Sequence, residues 1–338
     1  MITKVKKLHW LIGFIAFISM HQLLSDDLYS LQQCYIDKLA EASDEMTLGE
    51  LREYCASRVI PAQEIESVAV NENLTIAKKH SAKQRLSFSP HKSNYLLPIS
   101  YNSTPNPDSY SRSLTEEYIH NFEIIFQMSS KMRIVDNLFG DNGDLYGAYT
   151  GRFWWQAYNN DISSPFRETN HEPELFLDFE SDYQWGEWSL TNVIYGMAHQ
   201  SNGRALPSSR SWNRLYMELK FRNKDAWINF KPWFHVPEST KDNAADPRGD
   251  DNPDIDQYMG YFEFTAGYDF GRNHLVSMFR NNLRPNNKGA FQLDVTFPIA
   301  DSTDVRGYFQ YFTGYGESLI DYDVSTNRLS LGFIMSEY

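Results

Sequence analysis

The chain has almost no cysteine: Cys34 and Cys55 are the two among 338 residues. A dense framework of bridges is therefore excluded as what holds the fold together, and one pair near the N-terminus can staple a short helical segment there in an oxidising compartment. Beyond the N-terminal segment, nothing supplies the roughly eighteen consecutive apolar residues that an α-helix needs to cross a bilayer. Positive charge is in deficit, with 31 Lys and Arg against 44 Asp and Glu and a formal net charge of −13. That balance argues against nucleic acid as a partner, because phosphate binding needs a basic surface that releases counterions. No internal repeat is present.

What is present begins with Lys4, Lys6 and Lys7 ahead of a mostly apolar run from Leu8 to Met20. These are the charged and hydrophobic regions of a secretory signal, which places its approximate end at residue 25 and sends the chain out of the cytoplasm. Residues 26–117 read as an N-terminal, periplasmic extension and linker: two short helices carrying the cysteines, the second opened by the capping box Thr47-Leu48-Gly49-Glu50, then a Ser-, Asn-, Lys- and Pro-rich stretch from Asn71 to Arg112 that reads as linker or lumen plug.

Aromatic residues, 21 Tyr, 22 Phe and 8 Trp, concentrate after about residue 118, where the chain turns into alternating segments broken by turn residues. Phe122, Ile124, Phe126 and Met128 set one apolar face, and Leu145, Gly147, Tyr149, Gly151, Phe153 and Trp155 the next. Further segments fall at about 173–184, 187–201, 212–222, 225–236, 256–270, 273–284, 289–299, 302–314, 317–325 and 328–338, which makes twelve. An even number of antiparallel strands with interfacial aromatics is the pattern of a transmembrane barrel. The mean hydropathy of −0.53 suits it, because lumen-facing positions are polar and alternate residues alone meet lipid. The expected fold is all-β: a 12-stranded antiparallel transmembrane β-barrel over 118–338 behind a small, partly helical extension.

One constellation stands out. In a strand, His199 and Ser201 lie two residues apart on one face, the separation at which an imidazole can take a hydroxyl proton. The phase runs Val193, Tyr195, Met197, His199, Ser201, and on the following segment Asn213, Leu215, Met217, Leu219, Phe221. A hairpin sets Asn213 beside His199 as a third, orienting group. A His-x-Ser pair alone is common and means nothing; joined to Asn213 on one face it becomes a candidate nucleophile, base and orienter. The polar groups share a greasy face, which makes sense if that face touches lipid and the substrate is lipid. No Gly-x-Ser-x-Gly elbow surrounds Ser201, which speaks against a soluble secreted lipase.

The sequence resembles the outer-membrane phospholipase A family. The resemblance rests on Ser163-Ser164-Pro165-Phe166-Arg167-Glu168-Thr169-Asn170, on His199-Gln200-Ser201-Asn202-Gly203-Arg204 with Ser208-Ser209-Arg210-Ser211-Trp212-Asn213-Arg214-Leu215-Tyr216, on Lys231-Pro232-Trp233, on Asp251-Asn252-Pro253-Asp254 with Tyr258-Met259-Gly260-Tyr261, and on the block Gly314 to Tyr322. It covers most of the chain after about residue 140, in order.

The resemblance implies a lipid-facing site that hydrolyses sn-1 and sn-2 acyl esters of glycerophospholipids and lysophospholipids, with calcium and a homodimer required for activity. Ser201 is then the nucleophile, His199 the general base, Asn213 the orienter of the imidazole, and the Gly203 backbone N–H an oxyanion donor. Ca2+, one per site, takes the Arg204 carbonyl, the Ser209 hydroxyl, Ser163 of the partner subunit and, less directly, Asp251. One departure bears on the metal: the family pattern has an acidic residue shortly after the Arg, where this chain reads Ala205-Leu206-Pro207, and Leu206 cannot bind a cation. The rival expectation is a barrel without catalysis, a pore or structural protein.

Overall fold

In a computed structural model the described residues are 87–107, 119–161, 165–243, 246, 248–299 and 305–336. The segments read as a signal and as two short helices, with Cys34 and Cys55, and the predicted calcium ligand Ser163 lie outside the described residues. The strands are β1 (Phe88–Pro90), β2 (Asn94–Asn102), β3 (Phe122–Val135), β4 (Asp144–Trp155), β5 (Phe166–Trp185), β6 (Trp188–Ser201), β7 (Ser211–Asn223), β8 (Ala226–Val236), β9 (Phe262–Phe270), β10 (Asn273–Asn281), β11 (Gly289–Phe297), β12 (Arg306–Gly314) and β13 (Thr326–Ser336); a single helical turn, α1 (Asp256–Met259), precedes β9. Neighbours from β2 to β13 pair antiparallel in chain order, and β13 pairs back onto β2, closing a ring of twelve. Strand β1 lies on the same edge of β3 as β2 and continues it past a break at His91–Ser93.

The wall is inside-out relative to a soluble protein. Along β13 exposure alternates residue by residue: Leu329, Leu331, Phe333 and Met335 are exposed, while Arg328 and Ser330 are 1% and 2% exposed. The outward positions are apolar because they meet hydrocarbon, which cannot satisfy hydrogen bonds; the inward phase carries most of the polar side chains together with a smaller apolar cluster of Tyr95, Leu97, Ile125, Trp154, Tyr308 and Ile334. The connections also sort by end. Tight turns close β5–β6 at Trp185–Trp188 and β7–β8 at Asn223–Ala226, whereas the opposite rim carries the longer loops 156–165, 202–210, 237–261 and 315–325.

The expected strand count holds, but two segments exchange roles. Residues 94–102, read as linker, form β2 and bring the first barrel strand ahead of residue 118; its Pro98 sits where the pairings on both sides shift register, the kind of bulge at which a strand tolerates proline. Residues 317–325, read as a strand, instead fold inward as a turn whose Glu317, Ser318, Leu319, Ile320, Asp321 and Tyr322 are all buried. The reason is electrostatic. Arg167 donates to Glu123 at 3.0 and 3.1 Å and to Asp321 at 2.5 Å, and Arg328 reaches Glu123 at 2.7 Å and Glu317 at 2.6 Å. Buried charges persist when paired and hydrogen-bonded in this way. Segment 256–270 is likewise shorter than expected as a strand, since its first residues form α1.

Candidate active site

The hairpin β6–β7 is continuously paired through its rim end, with His199 directly opposite Asn213 and Ser201 opposite Ser211. Residues directly opposite in an antiparallel pair share a face, and their neighbours identify it: Tyr195 is 51%, Met197 53% and Leu215 47% exposed, whereas Ala198 and Trp212 are buried. The constellation therefore stands on the outer wall. His199 Nδ1 and Asn213 Oδ1 are 2.8 Å apart. A carbonyl oxygen accepts and cannot donate, so the Nδ1 proton belongs to the histidine and Nε2 is left with a free lone pair. Ser201 lies two positions further on the same face of β6.

The next strand adds a group that the sequence reading did not single out. His171 of β5 is paired opposite Ser201, and its Nδ1 lies 2.6 Å from the Tyr149 hydroxyl. A stack of rings flanks it, Phe126 on Phe153 at 4.7 Å between centroids and Phe153 edge-on to His171 at 6.1 Å. This makes an apolar shelf beside the serine.

The rim loop after Ser201 is held from below. Asn202 is buried; its Nδ2 donates to the Ser208 carbonyl at 2.9 Å and its Oδ1 accepts from the Arg210 N–H at 3.0 Å. This ties both ends of the loop and leaves Gly203 exposed at φ +65°, a conformation that costs residues with a Cβ about 1–2 kcal/mol. Arg204 folds inward onto Glu168 at 3.1 Å, and Glu168 and Asn170 receive the Ile320 and Leu319 N–H groups at 3.2 and 2.9 Å. The motif from Phe166 to Asn170 thus fastens the inward turn 315–325 beneath the site.

Across the rim, Ser209 donates to Asp251 at 2.5 Å, the Asn252 Oδ1 accepts from the Ser211 N–H at 3.0 Å, and the Tyr322 hydroxyl donates to Asp254 at 2.6 Å. Burial and then that carboxylate push the Tyr322 phenol well above its ordinary pKa. Ser209 and Asp251 thus converge as hard oxygen donors, the chemistry calcium takes. Two features qualify the fit: among the described residues no cluster of three or more His, Cys, Asp or Glu is placed to hold a metal, and the Lys241 ammonium is paired with the second oxygen of Asp251. Such a cation site has to rely on serine and carbonyl oxygens and on displacing Lys241. Glu238, at the start of the same loop, accepts from Asn213 Nδ2 at 2.7 Å. Neither lysine nor glutamate stood out in the sequence, because each meets its partner through a long loop without periodicity.

The fold and this wall define a class: a bacterial outer-membrane β-barrel with a hydroxyl, an imidazole and an amide aligned on its lipid-facing surface near the looped rim. The family model described as phospholipase A1 matches residues 71–335. Phospholipase A1 of Klebsiella pneumoniae is 40% identical over 248 residues, covering 73% of this chain and 82% of that protein, and the Escherichia coli K12 protein is 38% identical over the same length. Among solved structures, the outer membrane phospholipase A of Escherichia coli aligns with a TM-score of 0.67 at 37% identity over 74% of this chain and 94% of that one. The outer membrane phospholipase of Salmonella typhi, described as a dimer with bound calcium, aligns at 0.68 and 36% over 78% and 97%. A further Escherichia coli structure, at 37% identity and TM-score 0.68 over 76% and 94%, is an active-site mutant in which an asparagine is replaced by alanine. The chain belongs to the phospholipase A1 family of the bacterial outer membrane.

Proposed function

We propose that this chain is a carboxylic ester hydrolase that cleaves sn-1 and sn-2 acyl esters of glycerophospholipids, and of lysophospholipids, at the outer wall of its barrel. The observation that carries the reading is the 2.8 Å contact between His199 Nδ1 and Asn213 Oδ1 on the lipid-facing surface, with Ser201 on the same face.

His199 Nε2 takes the Ser201 hydroxyl proton as Oγ attacks the ester carbonyl carbon, and Asn213 holds the ring in the tautomer that leaves Nε2 free. The carbonyl oxygen becomes an oxyanion that the Gly203 N–H stabilises. Collapse breaks the ester C–O bond; the leaving alkoxide, the lysophospholipid, takes the proton from His199, and Ser201 keeps the acyl group. Water, deprotonated by His199, then attacks the acyl-enzyme, and the proton returns to Ser201 as the fatty acid leaves. An asparagine suits a site against hydrocarbon, because an orienting carboxylate there costs several kcal/mol to desolvate.

Calcium would be held by the Arg204 carbonyl, Ser209 and Ser163 of the partner subunit, with Asp251 nearby, and would polarise the ester carbonyl. On this reading the site is complete in the homodimer, and pairing of two barrels switches hydrolysis on.

The test is release of fatty acid from phosphatidylcholine in mixed micelles by refolded protein, with calcium, with chelator, and as Ser201→Ala. Calcium-dependent release that the serine change abolishes is the expected result. No release from a correctly folded barrel overturns the proposal and leaves a pore or structural role.

A further inference from the structure

The Asn213 side chain makes two hydrogen bonds, and the second has a consequence for the first. Its Oδ1 meets His199 Nδ1 at 2.8 Å, and its Nδ2 donates to Glu238 Oε1 at 2.7 Å. The two ends of a carboxamide are nearly the same size, so nothing steric stops the group from turning over. Turned over, it presents its NH2 to His199 Nδ1, which must then accept. The ring proton moves to Nε2, and the nitrogen that the proposed mechanism assigns to Ser201 can no longer take a proton. A carboxylate accepts and cannot donate, so Glu238 binds the NH2 end and no other.

We propose that Glu238 is a positioning residue for the reaction, one that locks the Asn213 amide with its oxygen towards His199. This rests on the assignment of Ser201, His199 and Asn213 as nucleophile, base and orienter.

The placement also divides between two residues what an aspartate does in a water-filled site. The amide that touches the imidazole is neutral and sits in the strand, where a charge faces lipid. The carboxylate sits in the loop after β8, exposed to solvent, and acts through the amide. As His199 takes up the serine proton, the imidazolium strengthens its bond to Asn213 Oδ1, and the amide, polarised in turn, strengthens its bond to Glu238. Glu238 lies in the loop 237–261 that follows β8, so the carboxylate reaches the amide from outside the strand framework.

The experiment measures kcat and KM for phosphatidylcholine in mixed micelles at saturating calcium. It uses wild type, Glu238→Ala, Glu238→Gln, Asn213→Ala and the double variant Asn213→Ala/Glu238→Ala, each shown folded by circular dichroism and gel mobility. Glu238→Ala is expected to lower kcat about five- to tenfold with KM unchanged, towards the low end for a charge-assisted hydrogen bond because the carboxylate is solvated. Glu238→Gln, whose amide oxygen still accepts from Nδ2, is expected to recover part of that loss. In the Asn213→Ala background, removing Glu238 is expected to change nothing further, the mark of action through the amide. A Glu238→Ala enzyme with wild-type kcat, or one whose loss persists in full without Asn213, overturns the proposal. Ser201→Ala run alongside separates the two readings: hydrolysis surviving that change overturns the nucleophile assignment and the role of Glu238 with it, whereas hydrolysis lost with Ser201→Ala but untouched by Glu238→Ala overturns the role of Glu238 alone.

Discussion

Replacing Asn213 by alanine removes one hydrogen bond and no charge, and the structure sets the size of the effect. The bond is a 2.8 Å contact between residues held directly opposite each other where the hairpin is continuously paired, so the strands keep His199 in place when the amide is gone. On the proposed mechanism, what is lost is the tautomer lock in the resting enzyme and the partner of the imidazolium in the transition state. A hydrogen bond to a charged group is worth about 1.5–3 kcal/mol, and each ~1.4 kcal/mol is a factor of ten in rate. Asn213→Ala is therefore expected to reduce kcat about 10- to 150-fold while KM, set by the apolar shelf of Phe126, Phe153 and neighbouring rings, stays near the wild-type value. The assay is steady-state fatty-acid release at saturating calcium, with fold checked by gel mobility. A loss below about threefold, or one expressed wholly in KM, refutes the claim that the amide orients the base.

Three further perturbations have defined outcomes. Lys241→Gln removes the ammonium that pairs with Asp251 and is expected to lower the calcium concentration for half-maximal activity about fivefold, read by calcium titration. Gly203→Ala meets no close neighbour, its new Cβ lying 3.9 Å from the His171 Cδ2, so its cost is the left-handed backbone: about 1–2 kcal/mol, seen as a lower kcat if the loop relaxes its amide away from the reacting carbonyl. Glu123→Ala leaves Arg167 and Arg328 without the carboxylate they share and is expected to destabilise the refolded barrel by about 3–5 kcal/mol, measured as a shift of the urea midpoint with unchanged slope.

Much of the candidate site was readable from the residues because its geometry is local. Tyr195, Met197, His199 and Ser201 share a face through strand alternation alone, and Asn213 joins them through the register of one hairpin. Residues 94–102 and 317–325 were read the wrong way round for a physical reason. The first lies in a Ser-, Asn-, Lys- and Pro-rich stretch with little periodicity, and its Pro98 removes a ladder donor, yet a bulge accommodates that proline between β13 and β3. The second alternates well enough to pass as a strand, but Asp321 finds Arg167, a partner distant in sequence, while Glu317 pairs with Arg328 on the following strand. His171 beside Ser201 was accessible in principle, since the phase of β5 is as regular as that of β6; what was needed was the register between them.

The sequence by itself determined the period, and with it a closed antiparallel barrel, the faces that meet lipid and lumen, and the placing of His199 and Ser201 on one side of one strand. Only the tertiary structure decided which segment closes the ring, which turn folds inward, and that Glu238 and Lys241 reach Asn213 and Asp251. Alternation is a property of neighbouring residues and survives any packing, whereas an ion pair or an amide's orientation depends on which distant charges the closed barrel and its loops bring within hydrogen-bond reach.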